Sequence, residues 1–174
     1  MRPLLIALLC SLALLPLPGL AAAPGPDRVL IFSRTATFHH DSIPVAVATL
    51  RELSAEAGMT ADPSDDPRDF RPDNLARYRA VVFANTTGDV LDAAQQAAME
   101  QFIRNGGGFM GVHAAADTEY DWPWYGELVG AWFHKHPKGL QETLVQPERD
   151  GRPSGPACRS AMSFTTTGAI RVER

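Results

Sequence analysis

The sequence predicts an α/β fold, in which helices cover both faces of a mostly parallel sheet. Its strand-like segments are continuous apolar runs, which is typical of strands buried on both faces. They alternate with segments whose apolar residues recur at helical spacing. Polar loops follow the strands, at the edge where parallel sheets bind ligands.

The first half of the predicted domain begins with a strand at 29–32 and the polar loop 33–41. A helix is predicted over 43–57, with Asp41 or Ser42 as its cap and Gly58 at its end. Residues 62–73 contain three prolines and five aspartates, and this composition predicts a surface loop. A calcium site there is disfavoured because the acidic spacing matches no calcium-binding loop.

The second half continues the alternation. A strand is predicted at 78–84, and the polar segment 85–89 follows it. Asp92 and Gln95 form a capping box that predicts a helix to about residue 104. The third clear strand is 108–112, and the loop 113–119 follows it. Three polar loops therefore meet at one edge of the sheet, which predicts a binding crevice there.

The ends of the chain differ from this pattern. Residues 1–23 combine Arg2, an apolar run at 4–15 and a small-residue site before Pro24, which predicts a secretory signal peptide. We therefore expect an exported protein, periplasmic or secreted, whose mature chain has no membrane span. The domain is expected at 24–146. Residues 147–174 are rich in Pro, Gly, Ser and Thr, which predicts a disordered tail of low complexity.

Charge and cysteine content exclude several functions. The chain has a net charge of −4, and loss of Arg2 with the leader would make it −5, so we expect no nucleic-acid partner. Cys158 is the one cysteine of the mature chain, so an internal disulfide is excluded. It lies in the polar tail, and thiol catalysis is not expected.

Histidine is the residue type that most directly suggests chemistry. His113 follows the Gly-rich third strand, and His39 and His40 lie on the first crevice loop. His134 and His136 would point to the same side if their segment were extended. Imidazoles at the crevice predict either acid–base catalysis near neutral pH or binding of a divalent metal such as zinc. We expect His39 to face away, because adjacent loop residues rarely face the same site.

Other side chains near the crevice suggest how a ligand is held. Asp117 and Glu119 follow His113 closely, and a carboxylate there is expected either to orient an imidazole or to bind a metal. The alternative is a helix cap or a charge that faces solvent. The dense aromatic segment 120–125 contains Trp122, Trp124 and Tyr125, whose rings are candidates for stacking on a sugar. The alternative is that the tryptophans cover the edge of the sheet as core, which we favour for at least one of them.

Five motifs in order resemble the ThuA-like, trehalose-utilisation family over residues 28–145. They are FHHDSI at 38–43, NTTGDVL at 85–91, GGGFMGVHAAAD at 106–117, WPWY at 122–125 and VGAWF with HP at 129–137. The resemblance implies a flavodoxin-like, three-layer α/β/α sandwich related to class I glutamine amidotransferases. Those enzymes carry a nucleophilic cysteine where this chain has His113. We therefore expect no glutamine hydrolysis, because imidazole carries acyl groups poorly.

The resemblance also implies a role in carbohydrate metabolism, with trehalose or a 3-keto-disaccharide as small-molecule partner. In a 3-keto sugar the C2 proton is acidic, and its loss expels the glycosidic oxygen at C1. Such a hydrolase or lyase would use His113 or His40 as base, with the segment of Thr86 and Thr87 stabilising the oxyanion.

Two other functions stay open. One is a metal-dependent hydrolase that uses His40, His113, His136 and Asp117, and the other is a non-catalytic sugar-binding module. Family members usually continue beyond the His-Pro motif with further strands. The tail that begins after about residue 146 therefore predicts a domain that is truncated or out of frame at its carboxyl end.

Overall fold

The sheet has four strands, all parallel, in the order β2-β1-β3-β4. A computed structural model describes residues 27–135. The strands are β1 (Arg28–Phe32), β2 (Thr60–Ser64), β3 (Ala80–Ala84) and β4 (Gly108–Val112). The predicted parallel α/β fold is confirmed, and it is the flavodoxin-like order in which β1 lies between β2 and β3.

Helices connect the strands and cover the sheet. They are α1 (Ile43–Glu56), α2 (Pro72–Leu75), α3 (Ala93–Arg104) and α4 (Pro123–Val129), with 3-10 turns at Pro67–Asp69 and His113–Asp117. The capping box is confirmed, since the Asp92 carboxylate accepts from the backbone of Ala94 and Gln95 and the Gln95 side chain accepts from Asp92 N–H. Within residues 27–135 no helix is long and apolar enough to span a membrane.

The core has two parts, one on each face of the sheet. On one face, aromatic and aliphatic side chains of the strands pack against those of α2, α3 and α4. This part of the core includes Phe32, Leu75, Phe83, Met99, Phe109 and Tyr125. On the other face, Val29, Ile31, Val82 and Ala84 meet Val47 and Leu50 of α1. Helix–sheet–helix layering follows, because strands that are apolar on both sides must be covered on both sides.

The prediction of a plain surface loop at 62–73 was wrong. Its first residues belong to β2, and 3-10 and α-helical turns follow. Asp62 is held at this edge by the Arg28 guanidinium, whose Nη2 lies 2.5 Å from Asp62 Oδ2. An edge strand is less buried than a central strand and can be largely polar. Because β2 lacks an apolar run, hydropathy alone does not predict it.

Several expectations fall on residues that the structure does not describe. The predicted signal peptide at 1–23, His136 and the predicted tail at 147–174 all lie outside residues 27–135.

Candidate functional site

Three loops meet at the carboxyl edge of the sheet. The loop after β1 donates a hydrogen bond from Ala36 N to the Thr87 carbonyl oxygen at 2.7 Å. The loop after β3 in turn donates from Gly88 N to the Asp117 carbonyl oxygen at 2.8 Å. Because β1 and β3 are neighbours whose connections leave in opposite directions, this edge is the switch point at which such folds bind ligands.

Gly88 allows the first two loops to approach closely. Its φ is +71°, and a Cβ atom built there would lie 2.8 Å from Thr37 Cγ2. Both the left-handed backbone and the short separation therefore require glycine.

The His40 and His113 rings are in contact at this edge of the sheet. Their centroids are 4.6 Å apart and their planes meet at 74°. His113 is exposed and directly follows β4 with a φ of +50°, a left-handed conformation that histidine adopts more readily than most residues. Burial, and then the nearby His113, lower the pKa of His40, so neutral imidazole is favoured there.

The other histidines have different surroundings. His39 is exposed, and its Nδ1 lies 3.3 Å from Thr35 Oγ1 and not against the His40–His113 pair. His134 is also exposed. Among residues 27–135 no group of three or more His, Cys, Asp or Glu side chains is arranged to hold a metal ion. A three-histidine metal site would therefore require His136, which lies outside this range.

Asp117 contacts a tyrosine in the described range and makes no hydrogen bond to an imidazole there. The Tyr120 hydroxyl lies 2.5 Å from Asp117 Oδ1 and 2.9 Å from the Phe133 carbonyl oxygen. Burial of this hydroxyl and its bond to Asp117 raise the pKa of Tyr120. Asp117 acts on His40 at longer range, where its negative charge opposes the lowering of the His40 pKa.

The threonine hydroxyls expected to face a ligand are used inside the protein. Thr86 and Thr87 are both fully buried. Thr86 Oγ1 lies 2.9 Å from Thr118 Oγ1, and Thr87 Oγ1 donates to the Phe38 carbonyl oxygen at 2.7 Å. Gly88 N, the nearby backbone donor, is bonded to Asp117. These groups join the crevice loops, and in this arrangement they are not free to stabilise an oxyanion.

The structure does not expose the rings of Trp122, Trp124 and Tyr125 at the carboxyl edge of the sheet. Tyr125 is fully buried and donates its hydroxyl hydrogen bond to the Ala115 carbonyl oxygen. Trp122 is also buried, with its ring stacked on Tyr125. Trp124 is partly covered and lies beside Arg104, at the end of α3 where the chain returns to the start of β4. Trp122 and Tyr125 are part of the hydrophobic core, and Trp124 packs at its margin.

Glu119 has none of the positions that the sequence suggested for it, beside an imidazole or a metal, at a helix cap or facing solvent. Its side chain has no exposed surface, and its Oε1 accepts from the backbone N–H groups of Val90 and Leu91, each at 2.8 Å. Its Oε2 accepts from the Gln96 amide at 2.7 Å. Burial raises the pKa of Glu119, although these donors act in the opposite direction. No local motif marks it, because its donors lie more than 20 residues away.

The structural role of Asn85 was not predicted from the sequence. It directly follows β3 with a φ of +57° and is 2% exposed. Its Nδ2 donates to Ser42 Oγ at 2.8 Å, which joins the end of β3 to the start of α1. Its Oδ1 is buried and has no hydrogen-bond partner among the described residues. The available signal was positional, since Asn is one of the few non-glycine residues that accept a left-handed turn after a strand.

Comparison with known protein families places most of the chain in one of them. A family model described as ThuA, trehalose utilisation, matches residues 28–166. The chain belongs to the ThuA family. The match extends past residue 146, where composition had suggested the end of the domain.

A solved structure of a ThuA-like protein from Bacteroides uniformis is similar to this ThuA-family chain. The sequence identity is 26% and the TM-score is 0.55, over 78% of this chain. The chain spans 58% of the length of that protein. A comparison with curated proteins found no match.

The buried Glu119 predicts how the free energy of unfolding of this chain depends on pH. Its folded-state pKa lies above the usual 4.5, so the folded chain binds this proton more tightly than the unfolded chain. The stability that protonation contributes is full below the usual value and is lost as pH rises through the raised value. Relative to Glu119→Gln, the wild type should therefore gain stability on acidification, measured by urea unfolding between pH 8 and pH 4.

Two further variants complete this test. Glu119→Ala leaves two buried N–H groups without their acceptor and should lower the free energy of unfolding by at least about 2 kcal/mol. Glu127→Gln changes an exposed glutamate on α4 and should leave the pH dependence as in the wild type. If the free energy of unfolding changed with pH equally in the wild type and in Glu119→Gln, the expected effect of Glu119 would be contradicted.

The contact between the two rings predicts how His40 titrates. Its pKa should lie below the usual 6.5, and removing the neighbouring positive charge by His113→Asn should raise it toward that value. NMR titration of the His40 ring protons measures both. An unchanged His40 pKa in the variant would show that the two rings do not interact electrostatically in solution.

Proposed function

We propose that this chain is an exported enzyme of carbohydrate utilisation that carries out acid–base chemistry on an oxidised sugar such as a 3-keto-disaccharide. Membership of the trehalose-utilisation family supports the class of substrate. The observation that carries the proposal is the contact between His40 and His113 at the switch point of the sheet. Two imidazoles in contact form a group that both accepts and returns a proton near neutral pH.

The proposed reaction starts at C2 of a 3-keto glycoside. His113, the more exposed ring, takes the C2 proton, and the C2–H electrons form a double bond between C1 and C2. The bond between C1 and the glycosidic oxygen breaks, and the proton held by the histidine pair passes to that oxygen. The histidines end as they began, and addition of water across the double bond would complete a hydrolysis.

The residue at this position also supports chemistry other than amide hydrolysis. A related fold that carries a nucleophile at the turn after this strand performs acyl transfer, which needs a thiolate or an activated hydroxyl. Here the turn carries His113, and the sequence has no cysteine between 28 and 135. A shared fold therefore does not transfer glutamine amidotransferase activity to this chain.

Measuring turnover of a 3-keto glycoside also tests the metal-dependent alternative. A hydrolase that used His40, His113 and His136 would lose turnover of the 3-keto glycoside with a chelator and regain it with zinc. Proton transfer by the histidine pair alone would continue in the chelator. A non-catalytic sugar-binding module would bind the glycoside and leave it intact in both conditions.

His113→Asn should lower turnover of a 3-keto glycoside by about 10²–10⁴-fold, the usual contribution of a general base. Asparagine tolerates the left-handed backbone of this position, so the fold should be retained. Steady-state rates give the loss, and the melting temperature verifies the fold.

His39→Asn is the matched control, because it removes an exposed imidazole from the same crevice loop but away from the pair. Its turnover should stay close to that of the wild type. A His113→Asn protein that turns over at the wild-type rate would eliminate His113 as the base, and equal losses in both variants would indicate a general disturbance of the loop.

Export is supported by the charge and apolar pattern of residues 1–23. The chain expressed in a bacterial host should be recovered from the periplasm or medium, beginning at or near Pro24. Mass analysis of its amino terminus measures this. An exported fraction that retains Met1 would contradict cleavage of a signal peptide.

A further inference from the structure

Phe38 is an exposed aromatic ring at the rim of the crevice. It is 63% exposed, and apart from Ala36 the other side chains of the loop 33–41 are polar. Its ring meets His40 edge to face, with centroids 4.8 Å apart and planes at 72°. Since His40 meets His113 in turn, the three rings form one continuous surface.

The backbone beneath this ring is fixed by a hydrogen bond from a buried side chain. The Phe38 carbonyl oxygen accepts from the hydroxyl of Thr87, which has no exposed surface. Two residues earlier, Ala36 N donates to the Thr87 carbonyl oxygen. The loop that carries the exposed ring is therefore held at two points. A ligand that covers the ring binds with little loss of loop entropy, because the loop is already ordered.

We propose that Phe38 is a stacking surface for a pyranose ring, which it holds beside the His40–His113 pair. The choice of a sugar rests on the proposed function. A pyranose has an apolar C–H face that covers an aromatic ring and a polar rim of hydroxyls. With its apolar face on Phe38, the sugar would present its rim to the adjacent imidazoles.

This assignment gives Phe38 the role that the sequence suggested for the rings at 122–125. Those rings are covered by other side chains or lie toward the opposite end of the sheet, whereas Phe38 is exposed and touches the proposed acid–base pair. Stacking also accounts for an exposed apolar side chain at the rim, since covering the ring removes apolar surface from water.

The test measures binding and turnover separately. Isothermal titration calorimetry with trehalose and with 3-ketotrehalose should show that Phe38→Ala weakens binding about tenfold, while Phe38→Tyr stays within about twofold of the wild type. In the 3-ketotrehalose assay, KM should rise in Phe38→Ala with kcat nearly unchanged. Leu53→Ala, which trims an exposed apolar side chain on α1, should bind both sugars as the wild type does.

The outcomes separate this proposal from the proposed reaction. Turnover by the wild type with equal sugar affinity in Phe38→Ala would overturn the stacking role and leave the reaction standing. Weakened binding in Phe38→Ala, with no turnover in the wild type, would support stacking and overturn the reaction. A wild type that binds neither sugar would also overturn the stacking role.

Discussion

The arrangement of the loops at the carboxyl edge of the sheet depends on the buried carboxylate of Glu119, because it holds the loop after β3 against the turn after β4. Two backbone N–H groups, those of Val90 and Leu91, and the Gln96 amide all donate to it. Burying a carboxylate costs free energy that only several donors offset, so this group stabilises one arrangement of the loops and no near alternative. Around it, Glu119 N donates to the Gly88 carbonyl oxygen, and the Asp89 carboxylate accepts from Tyr120 N.

Beside these hydrogen-bonded loops, two residues at the strand ends have an uncommon backbone conformation. Asn85 directly follows β3 and His113 directly follows β4, and both have positive φ. A left-handed residue turns the chain sharply where a strand ends, so that the His113 side chain stays at the sheet edge and remains exposed. Its partner His40 is held from the other side by the loop that Thr87 fixes. The contact between the two rings is therefore set by backbone connections, and the rings themselves contribute little to holding the loops.

Most of the fold could be predicted from the sequence, because buried parallel strands and capped helices carry strong local patterns. The strand at 108–112 and the Asp92 capping box are examples. The edge strand β2 could not be predicted, since its residues are stabilised by pairing with β1 and not by their own apolarity. The three polar loops were placed correctly at the strand ends, but the roles of individual side chains depended on contacts across the chain. Tyr125, whose hydroxyl is satisfied in the core, cannot be distinguished by sequence pattern from an exposed ring such as Phe38.

Pro63 in β2 affects which edge of the sheet can pair with a further strand. Thr60 N and Ser64 O bond toward β1, so the alternation of a parallel strand turns the backbone groups of Pro63 to the outer side. Proline has no N–H, and the row of donors that another chain would need on that side is interrupted. Protection against edge-to-edge association is thus built into one margin of the sheet, and a strand added to these four would be accepted beside β4.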